Sequence, residues 1–239
     1  MSVSIYDIAK EANVSPSTVS RALQNHPRIG AETRTRIQTL AKTMGYVPSA
    51  VARSLITNKT WTIGMVVTTV ADPVVADILD GVEAVAQDAG YSVFLSNSRN
   101  DPQREVTVVE TFQRRRVDAV IDVASRMGST YSSKLNQLEV PIVLVEHQEH
   151  NDYYHTVSTD NNGGARAAVD HLLALGHRRV GFVGANDRPK SNAERLLGYK
   201  LALQQAGISM IPELISHPES NDDFERGQMG LAELLAADP

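Results

Sequence analysis

The 239-residue chain contains no cysteine, which removes disulfide frameworks and thiolate metal sites from consideration. It also lacks any run of about 18 apolar residues, and its N-terminus carries no basic segment followed by an apolar stretch, so the sequence predicts neither a membrane span nor export. The expected location is the cytoplasm. Glycines in ALGHRR and VGFVGAND lie near a strand, but no G-x-G-x-x-G opens a helix, and a dinucleotide site has little support. His147, His150 and His155 share one polar segment without matching a zinc spacing; the expectation is solvated histidines and no cofactor. No nucleophile paired with a base, phosphate loop or cofactor fingerprint points to an enzyme. The length suits one or two domains with room for a core.

The formal charge of −5 is unevenly spread. Residues 1–60 hold eight Lys or Arg against three Asp or Glu, a net +5, whereas residues 61–239 hold 15 against 25, a net −10. A basic head on an acidic body fits one module that meets phosphate joined to another that does not.

Within the head, SIYDIAKEANVSPSTVSRALQ (residues 4–24) spells two short helices and a tight turn. Ile5, Ile8, Ala9 and Ala12 recur at helical spacing and leave Asp7, Lys10 and Glu11 in water. Ser4 suits an N-cap, and Asn13 sits where the chain must turn through positive φ. Ser15 caps the second helix, with Pro16 at its first position, where a missing N–H costs nothing. Val19, Ala22 and Leu23 then face inward, while Pro16, Ser17, Ser20 and Arg21 face out with hydroxyls and a guanidinium suited to phosphates and base edges. Ala9 is small where two helices cross, and Val14 and Val19 plug the wedge between them, as a helix-turn-helix requires. Pro16, Ser17 and Arg21 are the candidate base readers. Tyr6, Ser15, Thr18, Ser20 and Arg28 are candidates for backbone contact. Residues 30–44 read as a third helix stopped by Gly45, with Ile37, Leu40, Ala41 and Met44 on one side.

Asp7 through Arg21 match the signature D-I/V-A-x-x-A-x-V-S-x-x-T-V-S-R, so the chain resembles the lactose repressor (LacI/GalR) family of transcriptional regulators, with Asn13 where many members have Gly. The resemblance makes Arg28 a DNA contact; a solvated loop arginine is the alternative. SAVARSL (residues 49–55) resembles the family's hinge helix, which forms when two subunits sit on an operator and a leucine enters the minor groove. It gives Ala52 and Leu55 to DNA, although Val51 and Leu55 could instead pack the linker on the body. Residues 1–47 are then the head and 48–60 the hinge and linker.

From Trp61 on, TIGMVVTT, YSVFLSNS, VDAVIDVAS and PIVLVEH read as buried strands, alternating with helical patterns at residues 75–89 and 104–115. This is βαβ repetition and predicts a parallel, doubly wound α/β sheet, with ligands at the C-terminal strand ends. Asp72, Asn97, Ser125, Glu146 and Asp160 are the candidates there. TVSTDNNGGARAAVDHLLALGHRRVGFVGANDR (residues 156–188) carries a second family signature, dividing a periplasmic-binding-protein-like body into subdomains at 61–160 and 161–239. The family places a small effector, often a sugar or nucleobase, between them. Arg188 and Arg195 match by position, with surface ion pairs as the alternative reading; Glu146 stands where relatives commonly have Asp.

The resemblance implies a homodimeric regulator, a repressor, that binds a double-stranded DNA operator under control of a sugar-like effector. A periplasmic sugar-binding protein shares the two-lobed body and is the second reading, and a doubly wound enzyme the third. Family members continue through further βα units beyond GQMGLAELLAADP. The corresponding expectation is an incomplete second subdomain, a head that folds regardless, and a body left poorly stable or aggregation-prone by open strand edges and apolar faces, with little effector response; a truncated regulator without effector response is the further alternative.

Overall fold

A computed structural model describes residues 3–48, 54, 57–125, 139–147, 155–186, 188–220 and 222–237. It divides into two compact units, residues 1–60 and 61–239.

Among its described residues the first unit is built on three helices: α1 (Ile5–Ala12), α2 (Pro16–Leu23) and α3 (Ala31–Thr43). Local chemistry fixes their ends. Ser4 and Asp7 form a reciprocal capping box, the Ser4 N–H donating to Asp7 Oδ2 at 2.8 Å and the Asp7 N–H to Ser4 Oγ at 3.3 Å. The Ser4 hydroxyl, which donates to Asp7 Oδ2 at 2.6 Å, and then the Ser4 N–H hold the Asp7 carboxyl below its ordinary pKa. Asn13 takes φ 51° and ends α1, and Ser15 Oγ accepts the Thr18 N–H at 3.1 Å to begin α2. Ile8, Val19, Ala22 and Ile37 are fully buried in one core, with Ala9, Ala12 and Ala41 letting the three helices approach. Arg36 adds a tie from α3, donating to the Ala12 carbonyl at 2.9 Å, where α1 has no helical donor left.

The second unit begins with a five-stranded, fully parallel sheet. Its strands are β1 (Thr62–Val67), β2 (Ser92–Asn97), β3 (Ala119–Val123), β4 (Ile142–Val145) and β5 (Thr156–Val157), in the order β2-β1-β3-β4-β5. Helices α4 (Pro73–Asp88) and α5 (Pro102–Arg114) connect the first three strands. Met65, Val67, Val75 and Val123 form the core on the α4 side; Val66, Val106, Val109, Phe112, Val120 and Leu144 form it on the α5 side. Gly64 allows the second contact, because a Cβ there would collide with the Phe112 ring.

One strand departs from expectation. YSVFLSNS reads as a buried strand, but β2 is the sheet edge, and Phe94 and Leu95 remain 47% and 42% exposed. Its apolar composition resembles that of the central strands, while burial depends on neighbours that sequence pattern does not specify.

Beyond β5, α6 (Asn161–Ala174) packs along α7 (Pro189–Gln205), and a two-stranded parallel sheet pairs β6 (Phe182–Val183) with β7 (Ile215–Ser216). A Cβ on Gly198 would strike the Asn162 carbonyl, so glycine permits the close α6–α7 crossing. A 3-10 turn (Pro212–Leu214) leads into β7, and α8 (Asp223–Ala237) closes the described chain. No helix among the described residues is long and apolar enough to cross a membrane.

Candidate functional site

On the head, the inward face of α2 is consumed by the core and its outward face is left over. Pro16, Ser17 and Arg21 are exposed, as are Ser15 and Arg28, while Thr18 and Ser20 are half-buried. Tyr6, on α1, is 74% exposed. Ser15 Oγ lies 2.8 Å from Ser17 Oγ and 2.9 Å from Thr18 Oγ1, so three hydroxyls cluster at the N-terminus of α2. That end carries the positive pole of the helix and its spare N–H groups, an arrangement that favours phosphate. Arg21 lies one turn further along the same exposed face. Ala52 and Leu55 lie outside the described residues.

In the body, the chain connections reverse direction between β1 and β3, and such a switch point opens a crevice at the strands' C-terminal ends. A cavity of about 120 Å³ lies there. Thr68 and Thr69 reach it from the end of β1, Val123 and Ala124 from β3, Glu146 from β4, and Thr159 from beyond β5. Asp72, Asn100, Arg188, Ser191 and Arg195 complete its polar lining. Ala124 and Glu146 leave their strands at φ 57° and 52°, a costly conformation for residues with a Cβ.

The charged groups are held from behind. Asp72 caps α4, accepting the Val74 N–H through Oδ1 at 2.9 Å, and accepts Arg188 Nη2 through Oδ2, also at 2.9 Å. Glu146 Oε1 accepts both the N–H and the hydroxyl of Thr159 at 2.5 Å. Arg195 Nε donates to Asn161 Oδ1 at 2.8 Å, and Asn161 in turn donates to Glu194 at 3.0 Å. Two acids, two guanidinium groups and several hydroxyls thus face a small space, equipment for a hydroxyl-rich molecule.

Of the residues singled out from sequence, Asp72, Glu146, Arg188 and Arg195 are brought together at this cavity, and Asn97, Ser125 and Asp160 do not line it. Asn97 accepts the Arg99 N–H at 2.8 Å, and Asp160 caps α6 by accepting the Gly163 N–H at 2.8 Å. Ser125 is fully buried and donates to Glu105 of α5. Thr68, Thr69, Asn100, Thr159 and Ser191 are polar lining residues that sequence reasoning passed over; the two threonines that end TIGMVVTT carried the available signal. The histidines also need correction. His147 is buried at 5% exposure rather than solvated, His155 is exposed, and His150 lies outside the described residues. His147 follows β4 by two residues and is buried at the strand's C-terminal end.

Comparison with known proteins identifies both units. Residues 4–49 match the family model for bacterial regulatory proteins of the lacI family, and residues 60–239 match the model for periplasmic binding proteins and the sugar-binding domain of the LacI family. Catabolite control protein A of Priestia megaterium is 30% identical over all 239 residues, which cover 71% of that protein. The HTH-type transcriptional repressor CytR of Escherichia coli (strain K12) is 30% identical over 229 residues, 96% of this chain and 67% of the relative. The lac repressor dimer bound to operator and the anti-inducer ONPF superposes with a TM-score of 0.84 at 23% identity, covering 99% of this chain and 71% of that one, a likeness in fold. The CelR–cellobiose complex superposes at 0.66 with 26% identity and the same coverage. With one family model on the head and its companion on the body, the chain belongs to the lacI family of bacterial regulatory proteins and is a transcriptional regulator, not an enzyme.

Proposed function

We propose that this regulator represses transcription in the cytoplasm by binding a two-fold symmetric operator as a homodimer, with a sugar-like effector in the body cavity setting its affinity. The observation that carries this reading is the outward face of α2, where Pro16, Ser17 and Arg21 stand clear of the head's core on a unit of net +5. Arg21 reads a base edge in the major groove, while Tyr6, Ser15, Thr18, Ser20 and Arg28 hold the register through phosphates. Ala52 and Leu55 belong to the hinge and enter the minor groove. Phe94 and Leu95 of the edge strand offer apolar surface for a second copy.

Asp72, Glu146, Arg188 and Arg195 bind the effector, whose differential affinity for the DNA-competent and DNA-incompetent arrangements shifts the equilibrium between them. Hydroxyl-rich ligands suit a lining with two acidic and two basic side chains. The experiment is operator binding by fluorescence anisotropy in the presence of a panel of mono- and disaccharides and nucleosides. One of them is expected to change the operator Kd at least about fivefold, a coupling of ordinary size, and to lose that effect in Arg195→Ala. An unchanged Kd across the panel, with DNA binding intact, would refute the sugar-like effector and leave the DNA reading standing.

A further inference from the structure

Arg188 joins parts of the body that are far apart in sequence. Its Nη2 donates to Asp72 Oδ2 at 2.9 Å and to Asp223 Oδ2 at 3.3 Å, across separations of 116 and 35 residues. Asp72 belongs to the lobe built on the five-stranded sheet. Arg188 and Asp223 belong to the lobe built on β6 and β7, at the starts of α7 and α8. The extensive packing of the body lies within these lobes: strands on strands in the first, α6 on α7 and α8 on β6 and β7 in the second.

We propose that the Asp72–Arg188 pair is a latch between the two lobes at the rim of the cavity, and that opening the cleft requires breaking it. Three features distinguish it from an ordinary surface ion pair. The two side chains are sheltered, at 15% and 30% exposure, so salt screens them less than a fully wet pair. Asp72 is already fixed by its bond to the Val74 N–H, so the latch does not have to order a wandering carboxylate. Its carboxylate also sits at the N-terminus of α4, where the helix favours a negative charge.

Asp223 makes the latch reversible. It already contacts Arg188 and is itself bonded by Arg226, so an Arg188 that leaves Asp72 keeps a carboxylate partner within its own lobe. Opening therefore gives up one of two acceptors instead of stranding a cation, which lowers the cost of the open state. The two acids have opposite roles: Asp72 pulls the lobes together, and Asp223 keeps the arginine in the second lobe. This inference stands on the ion-pair geometry and does not require the effector to be known.

The absence of cysteine allows a direct test with two introduced labels. Val85→Cys on α4 and Leu197→Cys on α7 replace side chains that are 72% and 50% exposed, and pulsed electron resonance on the spin-labelled full chain reads the distance distribution between lobes. Asp72→Asn keeps a side chain that caps a helix well and removes the charge. It is expected to raise the ratio of open to closed population about two- to tenfold, and Arg188→Gln should open the cleft to a similar extent from the other side. Salt should widen the wild-type distribution and leave that of Asp72→Asn unmoved, while Asp223→Asn should not open the cleft. Identical distributions in wild type, Asp72→Asn and Arg188→Gln would overturn the latch. So would equal opening in Asp72→Asn and Asp223→Asn, which would mark a general effect of lost charge.

Discussion

Asp122 of β3 is buried against Glu105 of α5, so two carboxyl groups share one apolar interior. In register, Asp122 lies between Val66 of β1 and Leu144 of β4, both fully buried. Burial first, and the Glu105 charge second, push the Asp122 carboxyl well above the ordinary Asp range. The folded body therefore holds a proton on Asp122 that the unfolded chain releases. Stability from this group is fully present below the ordinary Asp pKa and is lost as pH rises through the raised folded value. Asp122→Asn should flatten that decline and raise the melting temperature of the body above neutral pH. Thermal melts from pH 5 to 9 check this, and parallel profiles for the two proteins would contradict it.

The head should show the opposite sign. Asp7 is held below its ordinary pKa by the side-chain and backbone bonds from Ser4, so its contribution is present above the unfolded pKa and is lost as pH falls through the folded one. Asp7→Asn should remove this acid sensitivity. Amide exchange in α1, followed from pH 6 down to 3, reads the effect, and unchanged protection in wild type across that range would count against it.

Packing gives a prediction of larger size. The Phe112 ring occupies the place of a Cβ on Gly64, and overfilling a core of this kind costs about 1–3 kcal/mol. Gly64→Ala should destabilise the body by that amount in urea unfolding, and adding Phe112→Leu should recover part of the loss. Gly64→Ala that unfolds at the wild-type urea concentration would show that the sheet and α5 can part without cost.

Residues of the head were legible in the sequence because their chemistry is local. Ser4 and Asp7 are three residues apart, Asn13 turns the chain through its own backbone, and Ser15 caps the helix that Pro16 begins. In the body, periodicity yielded the strands and helices but not their neighbours. The edge position of β2 is a matter of strand order, which has no counterpart in the pattern of YSVFLSNS. Ser125 and Asp72 looked alike as polar residues following strands. The first turns inward to Glu105, 20 residues away, and the second faces Arg188, 116 residues away. Thr68 and Thr69 were passed over because hydroxyls at a strand end are common, and only the switch point beside β3 makes these two cavity residues.

Arg21 and Arg28 should separate base reading from phosphate anchoring. Arg21→Ala should cost about 1–3 kcal/mol on the preferred duplex and much less on scrambled DNA. Arg28→Ala should weaken both equally and reduce the slope of log K against log salt by about 0.9. Anisotropy titrations at several salt concentrations distinguish them. Equal losses on both duplexes for Arg21→Ala would reassign it to phosphate, and no loss would remove it from the interface.

Everything proposed for the head rests on α2 presenting a sequence-reading face to DNA, used in symmetric pairs. Selection of duplexes from a random library by the full chain, followed by sequencing, tests it most directly. The expected result is enrichment of an inverted repeat whose half-sites are centred about 10 base pairs, one helical turn, apart, together with loss of preference at one position per half-site when Arg21→Ala is selected in parallel. Recovery of sequences no different from the input library would contradict it.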